Sequence, residues 1–403
     1  MIRLLPFTYA ARNLGRNGPR LILAVSGSFA VALLAMAGAG FVRGMEAALR
    51  ASGLERNVML LGAGSEESVE RSEISQATSG VIAASLPGVA VHDRQPLASA
   101  EVNVALTVQA ERGGDARAED RERTGLVRGV TRTAFLVHPQ VRLVAGRAPE
   151  AGSDEVILGT SAARVAGLAP EVVRTSLQDD GTGGPAVLVD GRTRRVVGMF
   201  AAPGTVMDGE TWMPLTDTLV LTQRETVSAV IVTLAPQAEP ADIEAFAQRR
   251  IDLELTAIRE PDYYASQGAF YRPVRVMVLA SAVLVAVGAL LGGLNTLYAA
   301  FASRVRELGM LQVLGFTRGA IAVSLLQESV ILAMSGTLIA VGMAIAFLDG
   351  ISIHFSMGTF GLRIDERVVA IGLGAGLLVG VVGCVLPALR CLRMPLPSAL
   401  KSD

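Results

Sequence analysis

Apolar residues run without interruption over four stretches of the chain. Residues 21–42, 276–303, 329–348 and 368–389 contain no charged side chain. About 20 apolar residues, at ~1.5 Å each, cross a hydrocarbon core ~30 Å thick. Each stretch therefore predicts a membrane-spanning helix, the third beginning as early as Gly319. Core helices of soluble proteins rarely run so far without a charge. The first run exceeds the roughly 7–15 apolar residues of a signal peptide. Despite Ala35-Met36-Ala37, which looks like a cleavage site, it reads as a retained signal anchor.

Between the first two runs the pattern changes. Residues 44–272 predict one external domain of mixed α and β structure. A helix is expected over 74–86, stopped by Pro87-Gly88. Polar and apolar side chains alternate over 101–108, as in a half-buried strand. A short strand at 155–158 and a short helix at 161–168 follow, with a further strand at 229–234. Strands 186–189 and 193–200 flank Asp190-Gly191, a hairpin turn signal. Residues 240–255 predict an amphipathic helix with Ile243, Phe246, Ala247, Ile251 and Leu255 on one face. Residues 113–123 and 178–185 read as exposed loops. The fold class expected is an α-helical membrane protein with four transmembrane helices and a large mixed α+β extracytoplasmic domain inserted between helices one and two.

Charge orients this arrangement. The N-tail (1–20) carries Arg3, Arg12, Arg16 and Arg20. The segment 304–318 carries Arg304, Arg306 and Arg318, and the C-tail Arg390, Arg393 and Lys401. Segment 43–275 is net acidic. Positive residues stay inside, so both termini and 304–318 are expected in the cytoplasm, with 44–272 and the loop 349–367 outside. For a bacterial chain this places it in the inner membrane. The five tyrosines, Tyr9, Tyr263, Tyr264, Tyr271 and Tyr298, are all expected at membrane–water boundaries.

Composition narrows the chemistry. Charged residues are 18% against roughly 25% in soluble domains. Mean hydropathy is +0.46. Both argue against a disordered or purely soluble protein. The net charge of −1 gives no basic excess for nucleic acid. The two cysteines, Cys384 and Cys391, provide no disulfide framework for the external domain. A P-loop needs a lysine that reaches the nucleotide phosphates. The single lysine, Lys401, has no glycine loop before it. His92, His138 and His354 show no ligand spacing, and surface or loop roles are expected for them. No G-x-S-x-G nucleophile motif occurs, and Glu328 is the only acidic residue within a span. The chain reads as a non-enzyme with no metal and no cofactor of its own.

Two features of the spans stand out. Glu328 lies about ten residues into the third helix, ~15 Å from its start. A carboxylate there is costly unless paired, hydrated or protonated. It is expected either to face the bundle beside a hydrogen-bonding neighbour or to couple the bundle to a cytoplasmic partner. Gly288 and Gly292 are four apart, and Gly372, Gly376 and Gly380 repeat at the same interval. Small residues on one stripe let helices approach closely, which favours a dimer.

Residues 303–321, SRVRELGMLQVLGFTRGAI, form a short basic amphipathic helix with Gly315 placed to cap it. This stretch resembles the cytoplasmic coupling segment of the FtsX/MacB-like ABC permeases, of the mechanotransmission type (type VII). LLQESVILAMSG (325–336) resembles that family's third span, with Glu328 at its glutamate. LPALRCLRMPLPSAL (386–400) resembles its ending, and AARNLGRNGPR (10–20) its amphipathic N-terminal helix. RLVAGRAPEAGSDEVILG (142–159) and VVGMFAAPGTVMDGETWMPL (196–215) look like its periplasmic core. One departure is Pro273, where a rigid stalk helix is expected.

The resemblance implies a permease domain over 275–395 and a separate cytoplasmic ATPase that binds ATP and Mg. That ATPase would dock on Arg304, Arg306, Glu307, Leu308, Leu311 and Gly315, with Leu308 and Leu311 as the apolar anchor. It also implies a second permease copy or paralogue and, in some relatives, a periplasmic adaptor or carrier. The work done would be export, efflux, or release of lipoprotein or lipid. The alternative is a membrane-anchored sensor or scaffold with a ligand-binding external domain and no ATPase partner.

Overall fold

The protein is described here by a computed structural model covering residues 18–86, 88–111, 124–179, 184–270, 272–302, 305–355 and 358–392. It divides into two compact units. One comprises Gly44–Tyr271 with Ser352–Gly361; the other holds Met1–Arg43, Arg272–Ile351 and Leu362–Asp403. Helix α1 (Gly18–Ser52) contributes to both, and it runs ten residues past the end of the apolar run that predicts it.

The first unit is built on a ten-stranded mixed sheet. Its strands are β1 (Asn57–Gly62), β2 (Ala98–Ala110), β3 (Thr124–Val130), β4 (Arg142–Gly146), β5 (Glu155–Gly159), β6 (Ala186–Val189), β7 (Arg192–Ala201), β8 (Glu210–Pro214), β9 (Ala229–Thr233) and β10 (Leu255–Arg259). They lie in the order β10-β1-β9-β2-β3-β8-β5-β7-β4, and β6 pairs with both β7 and β2. The β3–β8 and β5–β7 pairs are parallel. As the turn signal predicts, β6 and β7 form an antiparallel hairpin. Asp190 (φ 49°) and Gly191 (φ 72°) hold the left-handed conformation that a tight hairpin turn requires.

Both faces of the sheet are covered. Along β1, Met59 and Leu61 enter one core with Phe200, Trp212 and Ile231, while Val58 and Leu60 enter another with Val230, Val232 and Ile243. Alternation sends successive side chains to opposite faces. The expected helix over 74–86 begins two residues later, as α2 (Gln76–Ser85), with Ser75 capping it. The expected helix over 240–255 is shorter. Helix α3 (Pro240–Arg249) ends at Arg250, and Glu254 takes a left-handed φ of 49° before Leu255 opens β10. Ile251 is 80% exposed, so its apparent place on the apolar face is a coincidence of spacing. Helix α4 (Glu260–Phe270) follows β10. Hairpin β11 (Ser352–Phe355) and β12 (Gly358–Gly361) also belongs to this unit, so the expected external loop 349–367 contains two paired strands. Phe360, 1% exposed, enters the core with Trp212 and Phe200.

The second unit holds α5 (Arg272–Ala302), α6 (Val305–Val313), α7 (Arg318–Met343) and α8 (Glu366–Leu392) together with the first part of α1. Pro273 sits in the first turn of α5, where a missing N–H costs nothing. Thr317 caps α7 by accepting from Ala320 N, and Asp365 accepts from Val368 N at the start of α8. Arg43 of α1 donates from Nε and Nη2 to Asp365 Oδ2, at 3.0 and 2.6 Å. Ala32 and Met36 of α1 pack with Ala340 of α7 and Val368 of α8. Among the described residues four helices, α1, α5, α7 and α8, are long and apolar enough to cross a membrane. Outward-facing Leu284, Leu338 and Leu378 suit lipid.

Candidate functional site

The short helix α6 is finished by its glycine. Gly315 has φ 91°, its N–H donates to Gln312 O, and Phe316 N donates to Leu311 O. These two bonds form a Schellman closure, which needs a residue free to turn left-handed. Leu311 and Phe316 pack beside the same small core. Leu308 does not point outward as a partner anchor. It is 3% exposed and buried with Val305, Ile321, Leu325, Cys384 and Ala388. A helix lying on a bundle must give its apolar stripe to that bundle. The apolar side chains left for a partner are Met310, Val313 and Leu314, beside the exposed Arg306. Glu307 is half-buried, and Arg304 lies outside the described residues.

Glu328 is 4% exposed on α7, close to buried Ser324 and Ser329. Ser329 Oγ donates across to Gly380 O at 2.8 Å. The glycine stripe on α8 is consumed within the chain. A Cβ on Gly372 would lie 2.6 Å from Met36 Cγ, one on Gly376 would strike Thr337 Oγ1, and one on Gly380 would lie 3.0 Å from Ala333 Cβ. Gly372, Gly376 and Gly380 therefore bring α8 against α1 and α7, and they give no support to a dimer. Gly288 and Gly292 on α5 are different: a Cβ at either meets nothing within 4 Å.

A charged cluster buried in the external unit has no counterpart in the sequence expectations. Cross-strand register sets Asn103, Arg128, Trp212 and Ile157 in one row across β2, β3, β8 and β5. Arg128 donates from Nε and Nη2 to Glu210, at 2.7 and 2.6 Å, and from Nη1 to Glu101 Oε2 at 2.7 Å. Trp212 Nε1 also donates to Glu210, at 2.8 Å. His138 Nε2 lies 2.9 Å from Glu101 Oε1, and His138 Nδ1 lies 3.7 Å from Glu260 Oε1. Glu260 Oε2 accepts from Leu54 N and Asn57 Nδ2, both at 2.9 Å. Glu260 opens α4, and Leu54 follows the end of α1. The cluster thus ties together the roots of the two helices through which the unit's chain leads to the first and second spans.

Its titration follows from burial and pairing. Burial alone would raise the Glu101 carboxyl, but the His138 and Arg128 charges outweigh it and bring it down to about 2. Burial would lower His138, yet the Glu101 charge and hydrogen bond hold it above its ordinary value. Burial keeps Glu260 above the usual carboxylate range, although the His138 charge opposes this. His138 is thus fully buried and ion-paired, contrary to the surface role expected. Tyr263 and Tyr264, 5% and 6% exposed, sit in the core of this unit and not at a membrane boundary. Tyr298 is 39% exposed; Tyr9 and Tyr271 lie outside the described residues. Among the described residues no group of His, Cys, Asp and Glu could hold a metal ion.

Comparison with known proteins identifies the architecture. The model of the MacB-like periplasmic core domain matches residues 22–249, more than half of the chain, and that of the FtsX-like permease C-terminal domain matches 279–396. The chain belongs to the FtsX/MacB-like ABC transporter permeases. The curated uncharacterized ABC transporter permease YknZ of Bacillus subtilis (strain 168) is 29% identical over 113 residues. That match spans 28% of this permease and 28% of YknZ. The periplasmic region of MacB from Actinobacillus actinomycetemcomitans aligns at TM-score 0.37 and 11% identity, covering 53% of this permease and 92% of that chain. The extracellular domain of YknZ aligns at TM-score 0.36 and 13% identity, covering 50% and 99%.

Proposed function

We propose that this permease couples ATP hydrolysis by a separate cytoplasmic ATPase to conformational work outside the membrane. The permease is a bacterial inner-membrane protein with both termini cytoplasmic and works as a dimer, with a second copy or a paralogue. The ATPase binds ATP and Mg and seats on α6. Its closure tilts the spans, and α1 and α4 carry that movement into the external unit. The observation that carries this reading is α6 itself. It is a short helix with a fixed end, held to its own bundle by Leu308, and it presents Met310, Val313, Leu314 and Arg306 outward. A few central side chains carry most interface energy, and arginine is enriched among them. The chain's only lysine, Lys401, supports placing nucleotide chemistry in another subunit.

The output is export, efflux, or release of lipoprotein or lipid, with a periplasmic adaptor or carrier as a further partner. Replacement of Leu314 by Asp tests the docking face. The variant is expected to reach the membrane folded but to lose its ATPase partner and its transport. A partner retained at normal yield with full transport would put the contact elsewhere.

A further inference from the structure

The external unit contains a cavity of about 70 Å³, apart from the α6 docking face. Its wall is contributed by every segment that leads out of the unit. Leu49 comes from the end of α1, Tyr263 and Tyr264 from α4, and Phe360 from the β11–β12 hairpin. The remaining wall includes Asn103 of β2 and Glu70.

Arg128 and Gln267 in the wall spend donors on Glu101, Glu210 and Glu67, while two acceptors receive none of these donors. Asn103 is 2% exposed; its backbone N–H donates to Ser228 Oγ, but its side-chain Oδ1 accepts nothing. A buried acceptor without a donor is costly. Its cross-strand neighbour Arg128 is committed to Glu101 and Glu210, so the nearest guanidinium does not supply that donor. Glu70 is half-buried at the wall; the neighbouring Arg71 charge acts on its carboxylate, but among the described residues no basic side chain makes a close ion pair with it. The rings of Tyr263, Tyr264 and Phe360 complete the lining, and aromatic faces attract cations. An occupant that satisfies all three features carries N–H donors, a positive charge and a short apolar body.

We infer that this cavity binds a small amphipathic ammonium ion at the root of the segments leading to the spans. Such a ligand would touch α1, α4 and the hairpin together, and so bias their relative arrangement. Binding itself does not depend on the proposed ATPase.

Trp212, the single tryptophan, donates to Glu210 and lies beside Arg128, and both of those residues line the cavity. Its fluorescence in the full chain, reconstituted in nanodiscs, reports occupancy. Titration with n-butylammonium chloride is expected to give a saturable change, and 1-butanol a weaker one. Glu70→Gln and Asn103→Leu are each expected to weaken n-butylammonium binding on the order of tenfold, as the loss of one charged or buried hydrogen bond predicts. Glu70 is half-buried, so Glu70→Gln tests the site without endangering the fold. The inference is overturned by an equal response to 1-butanol, by unchanged affinity in Glu70→Gln, or by a non-saturating response, which would mean ordered water only.

Discussion

His138 and Glu101 form an ion pair from which water is excluded: Nε2 and Oε1 are 2.9 Å apart and both side chains are 0% exposed. Glu101 is held at about 2, below its ordinary 4.5. Its contribution to stability is therefore present above pH 4.5 and lost as pH falls towards 2. His138 is raised above 6.5, so its contribution is complete below pH 6.5 and lost as pH rises through the raised value. Arg128, Glu210, Glu260 and Tyr264 surround the pair, and the raised Glu260 also favours the acidic side. Unfolding of the full chain in nanodiscs, followed by Trp212 fluorescence, is expected to show stability falling steeply below pH 4.5 as Glu101 protonates, declining as Glu260 ionises above pH 4.5, and declining further as His138 loses its proton above pH 6.5. His138→Gln should flatten the alkaline limb; an unchanged limb would remove His138 as its cause.

Arg128 is the hub of the cluster, bidentate to Glu210 and bonded to Glu101. Removing one partner of a buried ion pair leaves uncompensated charge and costs about 3–5 kcal/mol. Arg128→Met is expected to lose that much in denaturant titration of the external unit. Arg128→Met with Glu210→Leu should recover part of it. A cost under about 1 kcal/mol for the single variant would mean the pair is solvated.

The glycines separate two kinds of helix contact. Gly376→Leu would place a side chain into Thr337 and is expected to destabilise the bundle by about 1–3 kcal/mol, read as a lower unfolding temperature in nanodiscs. Gly288→Ala meets open space and should leave that temperature unchanged. Equal effects would show that α8 does not approach α7 as described.

Much of this architecture is legible because membrane spans and tight turns are local signals. Four uncharged runs and Asp190-Gly191 each announce themselves within a few residues. Span packing is less legible: spacing identifies Gly372, Gly376 and Gly380 as a stripe but does not say whether the neighbour is α7 or another chain. Leu308 shows the same limit, since an amphipathic helix has one apolar face and both the bundle and a partner can claim it. The buried cluster was hidden for a different reason. Glu101 and Asn103 occupy the polar positions of an alternating strand, which reads as a solvated face when only one face is assumed buried. Here Trp212, Phe200 and the α4 tyrosines cover that face too. The charge on Arg128, between apolar Leu126-Val127 and Val130, was the signal that could have flagged it.

Topology is open to direct labelling. A single cysteine at position 312, in a chain otherwise free of cysteine, is expected to resist a membrane-impermeant maleimide in intact cells and to react after permeabilisation. A cysteine at position 251, where Ile251 is 80% exposed, should react in intact cells. The reverse pattern would invert the orientation and remove α6 from the cytoplasm.

The most direct test of coupling through α6 is photo-crosslinking from position 314 in native membranes, with the products identified by mass spectrometry. Leu314 is 69% exposed on the proposed docking face, and Leu338, 60% exposed within α7, serves as the lipid-facing control. A P-loop ATPase joined at 314 and not at 338 is the predicted result. Crosslinks from 314 to lipid alone, at a yield equal to that from 338, would contradict an ATPase seat on α6 and favour a membrane-anchored sensor.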